Sequence, residues 1–177
     1  LEFFEKCLAS LKNKTFFRDE ICSILEKQNS EFGASSQTLK NISYLKDKQT
    51  AVVFTGQQVG ILGGPLFTIY KAISAIKLAH WLSEKLNTKV IPLFWLATDD
   101  HDFLEVNHIY LLNPQSQVTQ IEYKSKTDWN GKPMAKAVLD DSINDFLKTV
   151  NENLAETKYK NEVLGKLYEF YKETFTR

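Results

Sequence analysis

The stretch TGQQVGILGGPLFTIYKA, residues 55 to 72, limits the possible folds of this chain more than any other. It gathers Gly56, Gly60, Gly63, Gly64 and Pro65 at one point. Before it, Ala51 to Thr55 is apolar and β-branched, which predicts a buried strand. After it, Pro65 suits the first turn of a helix, where a missing N–H costs nothing. The helical pattern continues to about Leu86 with a narrow polar stripe of Thr68, Lys71 and Ser74, so the helix is expected to be covered on most sides. Asn87 and Thr88 end it, and Val90 to Leu96 reads as a second strand. Strand, helix and strand in that order predict a parallel, adjacent pair with a right-handed crossover, the start of an open α/β sheet.

The flanks are read more coarsely. Residues 1 to 48 look helical. Arg18 to Asn29 places Ile21, Ile24, Leu25 and Gln28 along one face. Gly33, Ser35 and Ser36 mark a break and a new N-cap, and Ser36 to about Lys48 carries Leu39, Ile42 and Leu45. His108 to Leu112 is a third strand, Asn113 to Ser116 a turn, and Val118 to Tyr123 an antiparallel strand. Helices are expected from Asp141 to about Leu154 and from Lys158 to about Phe175. Cys7 and Cys22 have neither metal nor redox spacing and read as buried thiols.

With 22 basic and 22 acidic residues the formal net charge is zero. That removes the electrostatic case for nucleic acid or an anionic membrane as partner. Lys124, Lys126, Lys132 and Lys136 form a local cluster that reads as a solvated loop. No signal peptide or membrane span is recognisable, so the cytoplasm is the expected compartment. A start at Leu1 and a helical pattern reaching Arg177 lead to the expectation of a piece of a longer chain.

In an open parallel sheet, ligands sit beyond the carboxyl ends of the strands, and both unusual loops lie there. In the first loop, glycines allow close backbone approach, and the N–H groups opening the Pro65 helix favour an anion. Thr55, Gly56, Gln57, Gln58, Gly63, Gly64 and Pro65 are the candidate binding residues. The spacing is neither a Walker loop nor G-x-G-x-x-G, and tight packing of the turn is the competing explanation. In the second loop, ATDDHDFLEVNH, Asp99, Asp100 and Asp102 surround His101. Such carboxylates need a cation among them: His101 itself, a substrate ammonium or Mg²⁺. Asp99, Asp100 and Asp102 are candidate binders, and Asp100 and His101 candidate catalytic groups. Asp102 with Glu105 also fits a capping box. His108 reads as a hydrogen-bonded structural histidine and Trp95 as core. No metal ligand set is expected.

The joint motif VVFTGQQVGILGGPLFTIYKAISAIKLA and PLFWLATDDHDFLEVNH closely resembles the bacillithiol biosynthesis cysteine-adding enzyme family. KQN and TLKNISYL before the first strand are similar to it as well. The resemblance implies a cytoplasmic carbon–nitrogen ligase that joins L-cysteine to glucosaminyl malate, with ATP and Mg²⁺ as the candidate cofactor. It also implies a Rossmann-like nucleotide-binding core related to class I aminoacyl-tRNA synthetases. The chain would then comprise an N-terminal helical segment (1–50), the first βαβ part of a partial Rossmann-like parallel sheet (51–115), and a following α/β or helical segment (116–177). Family members are longer, with a coiled-coil helical pair. The later half of the sheet, catalysis by the whole, and any homo-oligomer contact would lie outside these residues. Relatives of the fold carry a His-Ile-Gly-His-type motif where Gly63, Gly64 and Pro65 stand here. That difference keeps three alternatives open: a nucleotide- or sugar-phosphate-binding module without ligase activity, metal-dependent hydrolysis at Asp99, Asp100 and His101, and a structural piece of a larger assembly.

Overall fold

The computed structural model describes residues 1–11 and 14–173, and the expected helix end near Phe175 lies outside them. In chain order the elements are α1 (Glu2–Leu11), α2 (Arg18–Glu31), α3 (Ser36–Tyr44), β1 (Ala51–Gln58), α4 (Leu66–Leu86), β2 (Val90–Ala97), α5 (Phe103–Val106), β3 (His108–Leu112), β4 (Val118–Glu122), α6 (Ile143–Asn153) and α7 (Lys160–Glu173), with single 3₁₀ turns at Ile61–Gly63 and Met134–Lys136. The fold is α/β, and β1 pairs with β2 in a two-stranded sheet. Ala51 N–H donates to the Lys89 carbonyl at 2.9 Å. The two strands therefore begin side by side, which is the parallel arrangement expected of a strand–helix–strand unit. The chain forms two compact units, Leu1–Thr55 with Lys71–Trp95, and Gly56–Tyr70 with Leu96–Arg177.

In the first unit, α2 and α3 close over Cys22, Ile42, Leu45 and Ile91, all buried. Ser35 caps α3, accepting from the Thr38 N–H at 3.3 Å, and Gly33 takes φ +68° just before it. The Arg18 guanidinium donates to the Leu45 carbonyl at 2.9 Å and the Thr50 carbonyl at 3.1 Å, tying α2 to the entry of β1. The Ser83 hydroxyl of α4 bridges the Val90 N–H and carbonyl, at 2.9 and 3.0 Å, and so fixes where β2 begins. Ala79 and Leu82 pack there with Val90.

Several expectations change. The inward face of α2 carries Cys22, with Leu25 packed against it, while Ile21 and Ile24 are exposed. Cys22 is fully buried but Cys7 only half so. The first strand extends through Gln58, and it is not buried on both faces: Val52 and Phe54 stay exposed. Trp95 is 52% exposed and stacks on Phe54 instead of entering a core. α4 is also uncovered on most sides; only Ala75, Ala79 and Leu82 are buried. The cause is common to all of these. An apolar residue reports a tendency to be covered, whereas a two-stranded sheet supplies covering surface on one side of a helix only.

The second unit is built on a hairpin. β3 and β4 pair antiparallel from His108↔Glu122 to Leu112↔Val118. Asn113 makes the turn, its side-chain oxygen accepting from the Gln115 and Gln117 N–H groups. Ile121, Tyr123, Ile143, Phe146, Leu147, Val150 and Tyr171 form the core, joined by Ile61 from the glycine-rich turn. Beside it Asp140 ties a knot. Its carboxylate accepts from the Ser142 hydroxyl and N–H, the Lys126 N–H and the Ser125 hydroxyl. Burial raises its pKa, but those hydrogen bonds outweigh it and hold the carboxyl at about 2.

Candidate functional site

The glycine-rich turn belongs to the second unit, and its shape follows from three consecutive left-handed residues. Leu62, Gly63 and Gly64 take φ of 54°, 86° and 72°. Glycine adopts this region freely, but for Leu62 it costs about 1–2 kcal/mol. That strain is held from far along the chain: the Leu62 N–H donates to the Tyr171 hydroxyl of α7 at 2.8 Å. Burial pushes the Tyr171 phenol up, with the Leu62 bond pulling the other way. Gly63 N–H donates to Gly60 O and Gly64 N–H to Ile61 O, each at 3.0 Å. These two amides are therefore taken within the turn, while the anion site expected from the sequence was the set of N–H groups opening the helix after Pro65.

The glycines have separate reasons. A Cβ on Gly60 would lie 2.7 Å from Gly64 Cα, so this position is closed by packing. A Cβ on Gly63 would meet open space, and its glycine answers to backbone conformation alone.

A crevice of about 210 Å³ opens at this turn. One wall is Gln57, Gln58, Gly60, Gly64, Pro65 and Phe67; the other is Glu105, Val106 and His108. Gln57 donates to the Gln58 side-chain oxygen at 2.6 Å, which fixes both amide heads at the end of β1. Of the residues named from sequence, Gln57, Gln58, Gly64 and Pro65 come together here. Thr55, Gly56, Gly63, Asp99, Asp100, His101 and Asp102 are outside the lining set. Sequence reasoning missed Gly60, Phe67, Glu105 and Val106, and read His108 as structural only. The spacing of Gly60 four before Gly64 was a usable signal. Nothing local announces Tyr171.

The acidic loop follows β2. Asp99, His101 and Asp102 are exposed and Asp100 half-buried. The Asp100 side chain accepts from the His101 N–H at 2.8 Å. Asp102 caps α5, accepting from the Glu105 N–H at 3.2 Å. Backbone bonds pin the loop, from Met134 N–H to Asp100 O at 2.8 Å and from Ala135 N–H to Thr98 O at 2.7 Å. Among the described residues no three His, Cys, Asp or Glu side chains converge as a metal-binding group. α5 then turns the chain so that Glu105, Val106 and His108, not the acidic residues before them, face the glycine turn.

The His108 ring is held in place. Its Nδ1 lies 3.0 Å from the Leu104 carbonyl and 3.2 Å from the Asn107 side-chain oxygen. Asn107 is buried and donates to a Glu122 carboxylate oxygen at 3.1 Å and the Tyr123 carbonyl at 3.2 Å. A larger cavity, about 590 Å³, lies in the first unit; its walls are mostly apolar, with Arg18 and Lys48, and it holds none of the candidate residues. No helix among the described residues is long and apolar enough to cross a membrane.

Comparison with known proteins bears on this arrangement. Residues 1–176 match the family description "Bacillithiol biosynthesis BshC, N-terminal Rossmann-like domain". Among similar curated proteins, one from Geobacillus kaustophilus is 38% identical over 92% of this chain and 30% of its own length. One from Bacillus cereus is 36% identical over 91% of this chain, and one from Oceanobacillus iheyensis 32% identical over 92%, each again over 30% of its own length. All three carry the name "Putative cysteine ligase BshC". The chain spans about 30% of the length of these relatives.

Proposed function

Since this chain belongs to the bacillithiol biosynthesis BshC family, matching its N-terminal Rossmann-like domain, we propose that it supplies a substrate crevice to a cytoplasmic ligase that joins L-cysteine to glucosaminyl malate through an amide bond. The observation that carries this reading is the crevice itself. The family's glycine-rich motif and the segment after its acidic motif, Glu105 to His108, form the two walls of one space.

The lining suits a small polar substrate. At about 210 Å³ the crevice is below the roughly 300 Å³ at which drug-sized pockets begin. It accommodates a group the size of an amino acid or an amino sugar's amine end. Gln57 and Gln58 orient polar groups, and Glu105 offers a carboxylate to an ammonium. The same lining does not suit a nucleoside triphosphate: it contains no Lys or Arg to meet the phosphates. ATP with Mg²⁺ is the proposed energy source for the whole enzyme, bound outside this crevice. Asp99, exposed, and Asp100, half-buried, lie beyond the end of β2 and are proposed to attract an amine-bearing substrate before it enters.

The alternative is a binding module for a nucleotide or sugar phosphate without ligase activity. The absence of histidines at Gly63, Gly64 and Pro65 favours it. One experiment separates the two. The full-length protein is incubated with L-cysteine, glucosaminyl malate and ATP·Mg²⁺, and the thiol product is measured by mass spectrometry. Cysteine-dependent product supports the ligase. Nucleotide or sugar-phosphate binding without product, across nucleotides and divalent metals, overturns it in favour of the module.

A further inference from the structure

We propose that His108 is the proton acceptor for the substrate amine, held for that task by Leu104, Asn107 and Glu122. The inference rests on the ligase reading above and assigns the base within its crevice. Sequence alone pointed to His101, but that ring is exposed and outside the lining, whereas His108 is part of it.

The geometry settles the tautomer. Both groups facing Nδ1, the Leu104 carbonyl and the Asn107 side-chain oxygen, are acceptors. The Asn107 amide cannot be turned round without loss, because its nitrogen already donates to Glu122 and to the Tyr123 carbonyl. Nδ1 therefore carries the hydrogen, and Nε2 carries the lone pair. A ring positioned by one nitrogen and basic at the other, with a third group fixing the partner, is the arrangement that general bases use.

Three side chains neighbour the ring. Glu105 lines the crevice beside His108. Glu122 is the direct cross-strand partner of His108, which places the two Cβ atoms about 4.5–5.5 Å apart. Tyr110 packs edge-on against the ring, with centroids 5.3 Å apart. These are the titratable groups facing His108 from α5, β3 and β4. An amine enters as an ammonium, attracted by Glu105. One N–H bond then breaks. Its proton goes to Nε2, and the electron pair stays on nitrogen as the nucleophile's lone pair. The imidazolium so formed keeps its Nδ1 bond to the Leu104 carbonyl.

The test uses the full-length enzyme and three variants. His108→Asn places an amide nitrogen near the former Nδ1, keeping the anchor to Leu104 while removing Nε2. Its melting midpoint should match the wild type, with kcat lower by on the order of 10²–10⁴-fold and KM for the amine substrate nearly unchanged. His108→Ala should lose turnover similarly and regain part of it in added imidazole. Wild-type kcat in His108→Asn, or no imidazole rescue of a folded His108→Ala, overturns the assignment. If His108→Asn does not fold, His108→Gln, whose amide reaches the Nε2 position but cannot take up its proton, is judged by the loss of kcat alone. A wild-type enzyme that forms no product refutes the ligase reading itself; an active wild type with an equally active His108→Asn refutes only the role of His108.

Discussion

Tyr171→Phe isolates the one interaction that holds the glycine-rich turn from a distance. The ring stays in the core with Ile143, Phe146, Leu147 and Val150, and only the hydroxyl goes. The Leu62 N–H then has no acceptor, at a cost of about 1–3 kcal/mol for a desolvated donor. Part of that is offset, because Leu62 can leave a left-handed conformation that stores about 1–2 kcal/mol. The net expectation is a loss of about 1–2 kcal/mol, and at roughly 2–4 °C per kcal/mol for a chain of this size the melting midpoint falls by about 2–8 °C. Function should suffer alongside. Gly64 and Pro65 lie two and three residues after Leu62 and line the crevice, so a turn released by 1–2 kcal/mol weakens ligand affinity by up to about 5–30-fold. Thermal denaturation and calorimetric titration of the full-length enzyme with L-cysteine and with glucosaminyl malate read both effects. A variant within 0.5 kcal/mol of wild type and unchanged in affinity for both would show that the turn holds its shape unaided, and the reasoning from Tyr171 would fall.

Asp140 predicts an acid-sensitive term. Its folded pKa of about 2 lies below the ordinary 3.8, so its stabilisation is complete above pH 4 and lost as pH falls through 2. Allowing for its partial exposure the term is about 1–2 kcal/mol, and the gap in denaturant midpoint between wild type and Asp140→Asn should close over that range; parallel curves would contradict it. Gly60→Ala should destabilise more than Gly63→Ala, because the first forces backbone apart while the second meets only an unfavourable φ of about 1–2 kcal/mol; equal melting midpoints would refute the distinction. Asp102→Ala removes the cap of α5 and should cost about 1 kcal/mol in denaturant unfolding; no measurable loss would mean that the backbone bonds of Met134 and Ala135 hold the loop without it.

The elements legible in the sequence were those with a local cause. Pro65 with its preceding glycines set the start of α4, Ser35 the start of α3, and moderate alternation the second strand of the hairpin. Exposure was not legible, since Val52, Phe54 and Trp95 have the composition of a core and no local signal of what covers them. Of the candidate residues read from the sequence, Gln57, Gln58, Gly64 and Pro65 line the crevice. Gly64 and Gln58 announce a special backbone, and the crevice forms on them. The opposite wall depends on how four residues of helix, Phe103 to Val106, redirect the chain, and on a tyrosine 109 residues beyond Leu62. Neither leaves a periodic trace in the sequence.

The hairpin register has a consequence for how this chain can change length. Side chains on a strand alternate sides with each residue. His108 and Glu122 share a side because the pairing count between them is fixed. The tip at Pro114, Gln115 and Ser116 is exposed and takes no part in the ladder, so residues added there lengthen the loop and leave parity intact. One residue inserted within Val118–Glu122 is a different event. Every position on one side of the insertion changes sides, which would send Ile121 outward or part Glu122 from His108. Length variation among working versions of this domain should therefore be free at the tip and confined to even steps, or to bulges, along the strands.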